Sequence, residues 1–147
     1  MDGILLLVPR EGTYVHREAL IPPGIAYING ALREVGLPVT SCNLNFTEGT
    51  VEEIIEELII KNGIQYLLCG GTSFNGKDIR RCFQAARNVK EDIICIGGGA
   101  GYTAEPELFC EYTGADIAVL GEGEVTDVEL LHTLMQGGDL ESVQGII

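Results

Sequence analysis

The sequence predicts a doubly wound α/β domain: one five-stranded parallel sheet in the order 2-1-3-4-5, with helices on both faces. Three observations predict it. Five short β-rich runs alternate with five helical patterns along the 147 residues. Each run is a near-continuous apolar stretch, as expected of strands covered on both faces. Glycine-rich segments follow the third, fourth and fifth runs, where the strands of such a sheet present their carboxyl ends. With 46% apolar residues, 147 residues suffice for one domain with a proper core and are too few for two ordinary ones.

The first strand is residues 4–8. The helix after it carries Ile25, Ile28, Leu32 and Val35 on one face, starts after Pro22-Pro23 and stops at Gly36. The second strand, 38–42, leads to a helix opened by Thr50-Val51-Glu52-Glu53, a capping box in which two side chains satisfy backbone N–H groups reciprocally. Its stripe is Val51, Ile54, Ile55, Leu58 and Ile59, and it stops near Gly63. After the third strand, 65–69, a helix is marked by Ile79, Cys82, Phe83, Ala86 and Val89. The fourth strand, 92–96, precedes a short helix with Leu108, Phe109 and Tyr112. The fifth, 116–120, precedes a last helix with Val125, Val128, Leu131, Leu134 and Met135 on its stripe. Right-handed crossovers make this a flavodoxin-like sheet, whose ligands bind at the strand carboxyl ends. After Gly137-Gly138 the tail turns apolar again and reads as a further strand or a linker.

Composition narrows the function. The longest apolar runs fall far short of the roughly 20 residues that span a bilayer, and no basic signal-peptide region opens the chain, so a cytoplasmic protein without membrane contact is expected. Cys42, Cys69, Cys82, Cys95 and Cys110 form no Cys-x-x-Cys pair and sit mostly in apolar stretches, where cysteine behaves as a small hydrophobe. A net charge of −13 repels polyphosphate backbones, and the nine basic residues form no run, so no nucleic-acid partner is expected. Glu52, Glu53, Glu56 and Glu57 read as a solvated helix face.

The connections hold the candidate chemistry. The one after the first strand, residues 9–21, is long against the usual 2 to 6 or so residues and is expected to cover a ligand or partner. It contains Tyr14 and His16; Arg10, Glu11, Arg17 and Glu18 read as solvated charges. After the third strand, Gly70-Gly71-Thr72-Ser73-Phe74-Asn75-Gly76-Lys77-Asp78 has the spacing of a phosphate-binding P-loop. Asp78 stands where a magnesium-binding hydroxyl belongs, so a turn into the helix is the better reading, with the Thr72 and Ser73 hydroxyls near the sheet edge.

After the fourth strand, Gly97-Gly98-Gly99-Ala100-Gly101-Tyr102-Thr103-Ala104 contains the dinucleotide pattern GxGxxA, but that pattern belongs on a first strand. Whatever the label, four glycines in five residues let a flat or bulky ligand approach the backbone; purely structural glycines are the other reading. After the fifth strand come Gly121-Glu122-Gly123-Glu124 and then Thr126-Asp127-Val128-Glu129. Acidic residues suit a helix N-terminus, while the paired glycines suggest more than a cap. A phosphoacceptor receiver has the same topology, but its acidic, aspartate and lysine positions are occupied by Pro9-Arg10, Cys69-Gly70 and Gly121-Glu122.

Several segments carry a resemblance. They are Pro22-Pro23-Gly24-Ile25-Ala26-Tyr27-Ile28, Ile96-Gly97-Gly98-Gly99 with Glu105-Pro106-Glu107, and Ala115-Asp116-Ile117-Ala118-Val119-Leu120-Gly121-Glu122-Gly123-Glu124, closing with Val143-Gln144-Gly145-Ile146. Together they resemble the N-terminal cobalamin-binding domain of radical SAM enzymes, a group that includes anaerobic porphyrin ring cyclases and cobalamin-dependent methyltransferases. The resemblance implies cobalamin over the strand carboxyl ends, its nucleotide tail in a groove that small residues keep open. Gly97, Gly98, Gly99 and Ala100 would line that groove, and Thr72 and Ser73 would replace the serine of other cobalamin domains. Gly121, Glu122, Gly123 and Glu124 would border corrin or tail, with Phe74 and Tyr14 also among the cofactor-binding residues. Of the signature Asp-x-His-x-x-Gly that supplies cobalt's lower ligand, Tyr14-Val15-His16-Arg17-Glu18-Ala19 keeps only His16, the candidate cobalt ligand.

No Cys-x-x-x-Cys-x-x-Cys occurs, so this chain holds no complete active site. The resemblance implies that S-adenosylmethionine and a 4Fe-4S cluster bind a C-terminal radical SAM domain of the same polypeptide, and that methyl transfer or a related radical reaction occurs there. Residues 1–138 are then the cobalamin-binding domain and 139–147 the start of the linker. Two other readings are a self-contained nucleotide or small-molecule sensor on the same fold and a structural domain that has lost its cofactor.

Overall fold

The computed structural model describes residues 1–11 and 22–147. Strand β1 (Gly3–Val8) is buried at every position, and side-chain alternation sends Leu5 and Leu7 to one face, Ile4 and Leu6 to the other. An apolar residue at each position requires cover on both faces. β2 (Val39–Asn43) and β3 (Ile64–Gly70) flank β1, and β4 (Ile94–Gly98) and β5 (Ile117–Val119) follow beyond β3. All pairs are parallel and the order is β2-β1-β3-β4-β5, the flavodoxin-like sheet expected from the sequence.

The helices are α1 (Pro23–Glu34), α2 (Val51–Asn62), α3 (Gly76–Val89), α4 (Ala100–Ala104), α5 (Pro106–Thr113) and α6 (Glu124–Gln136). Leu32 of α1 and Leu130 and Leu131 of α6 close on Ile4, Leu6, Leu68, Ile96 and Val119. On the opposite face Ile55, Phe83, Tyr102 and Phe109 cover Leu5, Leu7, Leu67, Cys69 and Cys95. Cys69, Cys82 and Cys95 are thus core residues, and burial pushes the Cys95 thiol up to about 12.

The capping box forms as expected. The Glu53 N–H donates to Thr50 Oγ1 at 3.2 Å, and the Thr50 N–H to Glu53 Oε2 at 3.1 Å. Gly63 ends α2 in the left-handed region at φ 58°.

Three expectations change. The fourth helical region is two helices, because Pro106 has no N–H to continue the ladder and the chain bends at Glu105; α4 begins inside the glycine-rich segment. Val35 and Val125, placed on apolar stripes, are exposed, and α6 buries Asp127 with Leu130 and Leu131 instead. Arg10 is not a solvated charge. It is 7% exposed and donates to the carbonyls of Leu44, Thr47 and Gly49, tying down the loop after β2. The acidic face of α2 is solvated as expected, with Glu52, Glu53, Glu56 and Glu57 all exposed; Glu52 also makes a two-point ion pair with Arg81 of α3, at 2.7 and 2.9 Å, which holds its carboxyl below the usual range. Arg17 and Glu18 lie outside the described residues.

The tail closes the far edge. After a 3-10 turn (Leu140–Ser142), Val143 is buried and Ile146 forms an antiparallel bridge with Val119 of β5. No helix among the described residues is long and apolar enough to cross a membrane.

Candidate functional site: a cleft at the strand carboxyl ends

A cleft of about 550 Å³ opens at the carboxyl ends of β1, β3, β4 and β5 and runs between the sheet and the first turns of α1 and α6. Its sheet wall is apolar: Leu6, Val8, Leu68, Ile96 and Val119. The helical wall is Ile25, Tyr27 and Ile28 of α1 with Gly123, Glu124 and Asp127. Leu32, in the last turns of α1, is that helix's one buried residue, while Ile25 and Ile28 of its amino-terminal half are partly buried against the core and border the cleft. The volume falls within the range of roughly 300–1,000 Å³ usual for small-molecule sites.

The β4 glycines divide their work by strand alternation. Gly97 shares a face with Cys95, and a Cβ there would lie 2.2 Å from the Tyr102 ring. Its missing side chain therefore makes room for the core, where Tyr102 also meets Phe109 edge-on at 4.7 Å and bonds Thr113 at 2.7 Å. Gly98 shares the cleft face with Ile96, and a Cβ there would approach no atom closer than 3.9 Å. This space is left open to the cleft. Gly99 has a φ of 93°, a backbone that favours glycine, and sits against the backbone of Gly71.

Hydrogen bonds join the three glycine-bearing loops. The Gly71 N–H donates to the Gly98 carbonyl at 3.2 Å and the Gly101 N–H to the Gly71 carbonyl at 3.1 Å. Thr103 Oγ1 accepts from the Gly121 N–H at 2.9 Å and donates to the Gly99 carbonyl at 3.1 Å. The Thr72 hydroxyl donates to Asn75 Oδ1 at 3.1 Å. The loops thus form one connected rim.

Most candidates from the sequence meet at this cleft: Thr72, Gly97, Gly98, Gly99, Ala100, Gly121, Glu122, Gly123 and Glu124 all line it. Ser73 and Phe74 do not line it; both are exposed, Phe74 at 94%. Tyr14 and His16 lie outside the described residues. Asp127, read from the sequence as part of a helix cap, is 4% exposed and lines the cleft. Burial, with a smaller contribution from Glu124, pushes its carboxyl up to about 7. The missed signal was periodicity: Asp127 precedes Leu130, Leu131 and Leu134 at the spacing of a buried stripe.

A doubly wound α/β sheet with an apolar cleft at its carboxyl edge and a linked glycine rim defines a small-molecule or cofactor-binding domain. Residues 16–131 match the B12 binding domain family. The chain belongs to that family, and its ligand is cobalamin. The cleft fits such a ligand, since Gly98 leaves a cradle that any Cβ would fill and the buried Asp127 carboxyl, to which no described residue donates, lines the cavity.

Among relatives, an uncharacterized methyltransferase of Pyrococcus horikoshii is 27% identical over 151 residues, covering 97% of this chain and 32% of the relative. The anaerobic magnesium-protoporphyrin IX monomethyl ester cyclase of a Synechocystis species is 30% identical over 141 residues, covering 94% of this chain and 28% of that protein. This chain therefore spans about a third or less of these curated relatives. The fold matches the radical S-adenosylmethionine methyltransferase TsrM of Kitasatospora setae, solved with cobalamin and a [4Fe-4S] cluster bound. The TM-score is 0.84 at 22% identity, over all of this chain and 29% of that one.

Proposed function

We propose that this chain is the cobalamin-holding module of a cobalamin-dependent radical SAM enzyme, with residues 1–138 as the domain and 139–147 beginning the connection to a radical SAM domain. The cleft carries this reading: it is about 550 Å³, apolar beside the sheet and open at a glycine rim, as a tailed, bulky cofactor requires. Support for the larger enzyme comes from relatives that are a methyltransferase and a cyclase, each roughly three times as long or more. Cobalamin supplies, when bound, a cobalt centre able to carry a methyl group or take part in radical chemistry.

The residues of this chain hold and orient. The sheet wall and the first turns of α1 exclude water from the tail, Gly98 admits it, and Thr72 with the Gly121 to Glu124 segment borders the rim. His16 is the proposed protein ligand of cobalt, and Tyr14 is a further proposed cofactor-binding residue. S-adenosylmethionine and the 4Fe-4S cluster belong to the other domain, and the whole acts in the cytoplasm.

Hydroxocobalamin added to the purified chain is expected to leave corrin absorbance with the protein after gel filtration. A chain that elutes colourless would overturn the reading. His16→Ala is expected to change the bound spectrum, and an unchanged spectrum removes His16 from cobalt. Reading the gene past Ile147 is expected to reveal Cys-x-x-x-Cys-x-x-Cys; without it the radical SAM assignment falls.

A further inference from the structure

Asp127 is an anomaly in an apolar wall. Its neighbours along α6, Leu130 and Leu131, are fully buried, and it is 4% exposed itself, yet it faces the cleft. Among the described residues no group donates a hydrogen bond to its carboxyl, and no lysine, arginine or histidine lines the cleft. Gly123, one turn earlier, makes room for it: a Cβ there would lie 2.5 Å from Asp127 Oδ2. A glycine and a buried carboxyl lining a cavity together, with no partner among the described residues, form half of a hydrogen bond whose other half comes from the ligand.

The partner follows from the ligand's chemistry. Among the described residues, the titratable groups sharing the cleft with Asp127 are Glu122 and Glu124 beside it, Tyr27 on α1, Glu11 after β1 and Cys69 of β3, none of them a cation near neutral pH. Such surroundings favour the uncharged carboxyl, consistent with the rise toward 7 caused by burial. A neutral carboxyl carries an O–H that needs an acceptor. The benzimidazole of a cobalamin tail, when it is not on cobalt, offers one uncharged ring nitrogen with a free lone pair.

Resting on the cobalamin reading, we propose that Asp127 holds the lower base of cobalamin by donating its carboxyl O–H to the free ring nitrogen, and so selects corrinoids whose lower base carries such a nitrogen. An ionised Asp127 would set two acceptors against each other, so binding weakens as the carboxyl loses its proton. For a group titrating near 7, the competent fraction falls about tenfold between pH 6 and pH 8.

Equilibrium dialysis in the dark tests this with two probes. One is methylcobalamin, which has no group of its own titrating between pH 6 and 8. The other is methylated p-cresolylcobamide, whose phenolic base has no ring nitrogen. The unaltered chain is expected to bind methylcobalamin about tenfold tighter at pH 6 than at pH 8, and p-cresolylcobamide without that dependence. Asp127→Leu, checked for its fold by circular dichroism, is expected to weaken methylcobalamin about tenfold at pH 6 and to leave p-cresolylcobamide unchanged. Asp127→Asn keeps an N–H donor and is expected to restore tight binding while flattening the pH profile. Equal methylcobalamin affinity in the unaltered and Leu chains, or equal losses for both corrinoids, overturns the proposal. Failure of the unaltered chain to bind either corrinoid overturns the cobalamin reading as well, which separates the two failures.

Discussion

Gly97 and Gly98 are neighbours on β4, yet alternation directs their missing side chains to opposite faces of the sheet. Gly97→Ala would drive a methyl into the Tyr102 ring, which is buried among Phe109 and Thr113 and has no room to retreat. The expected result is a loss of about 1–3 kcal/mol in denaturant unfolding. At Gly98 a Cβ would meet only the Val119 carbonyl oxygen, at 3.9 Å, so Gly98→Val is expected to fill the cradle. It is expected to leave the melting temperature nearly unchanged while weakening cobalamin at least tenfold in dialysis, and equal binding would remove Gly98 from the site. Asp127 adds a stability effect by linkage. Its folded value of about 7 lies above the ordinary 3.8, so the folded state binds more protons between those values and grows more stable as pH falls through that window. The deficit is complete above pH 7 and gone below 3.8, and the rise from 3.8 to about 7 sets its ceiling at about 4 kcal/mol. Asp127→Leu is therefore expected to raise unfolding free energy more at pH 8 than at pH 4. An identical gain at both would contradict the buried-acid assignment.

The helices differ in how openly the sequence announces them. In α2 the cap, the apolar stripe and the terminal glycine agree, so one reading survives. Thr50→Ala removes the Oγ1 that accepts from the Glu53 N–H, leaves the backbone N–H that donates to Glu53 Oε2, and is expected to cost about 1 kcal/mol in thermal or denaturant unfolding. Because α2 packs on the face away from the cleft, cobalamin affinity is expected to stay unchanged. α4 could not be read this way, since Ala100 and Gly101 have the composition of a loop. Its helical turn depends on Tyr102 and Phe109 filling the core, a tertiary effect that local propensity does not contain. α6 misled for a related reason. A carboxylate near a helix start reads as a cap facing water, and only the cleft beside it explains a buried one. The site was legible where glycines fall at strand ends, because chain order fixes those positions in a parallel sheet. The wall contributed by α1 was not, since an apolar helix face looks the same whether it is fully sealed in a core or borders a cavity.

At the scale of the whole molecule, the cleft lies where the strand order reverses between β1 and β3, the place such sheets leave open. The far side of that cleft rests on β5, a strand of three residues with little pairing of its own. The tail reinforces it. Ala118 and Ile147 exchange hydrogen bonds at 2.8 and 3.0 Å, the Leu120 N–H donates to the Gly145 carbonyl at 2.8 Å, and Val143 is buried beneath. Gly145 also lies against Thr126, at the start of α6, so the tail braces the connection that carries Gly121 to Glu124. A chain ending at Gly138 would uncover the β5 edge and expose the pocket of Val143. Its melting temperature is expected to fall by several degrees, as a loss on the order of 1–2 kcal/mol gives in a domain of this size. Cobalamin binding is expected to fall with it, because the cleft wall loses its support. Thr50→Ala is the control, since it removes comparable stability from the opposite face. If shortening the chain weakens cobalamin no more than Thr50→Ala does, the tail covers an edge and has no part in shaping the site.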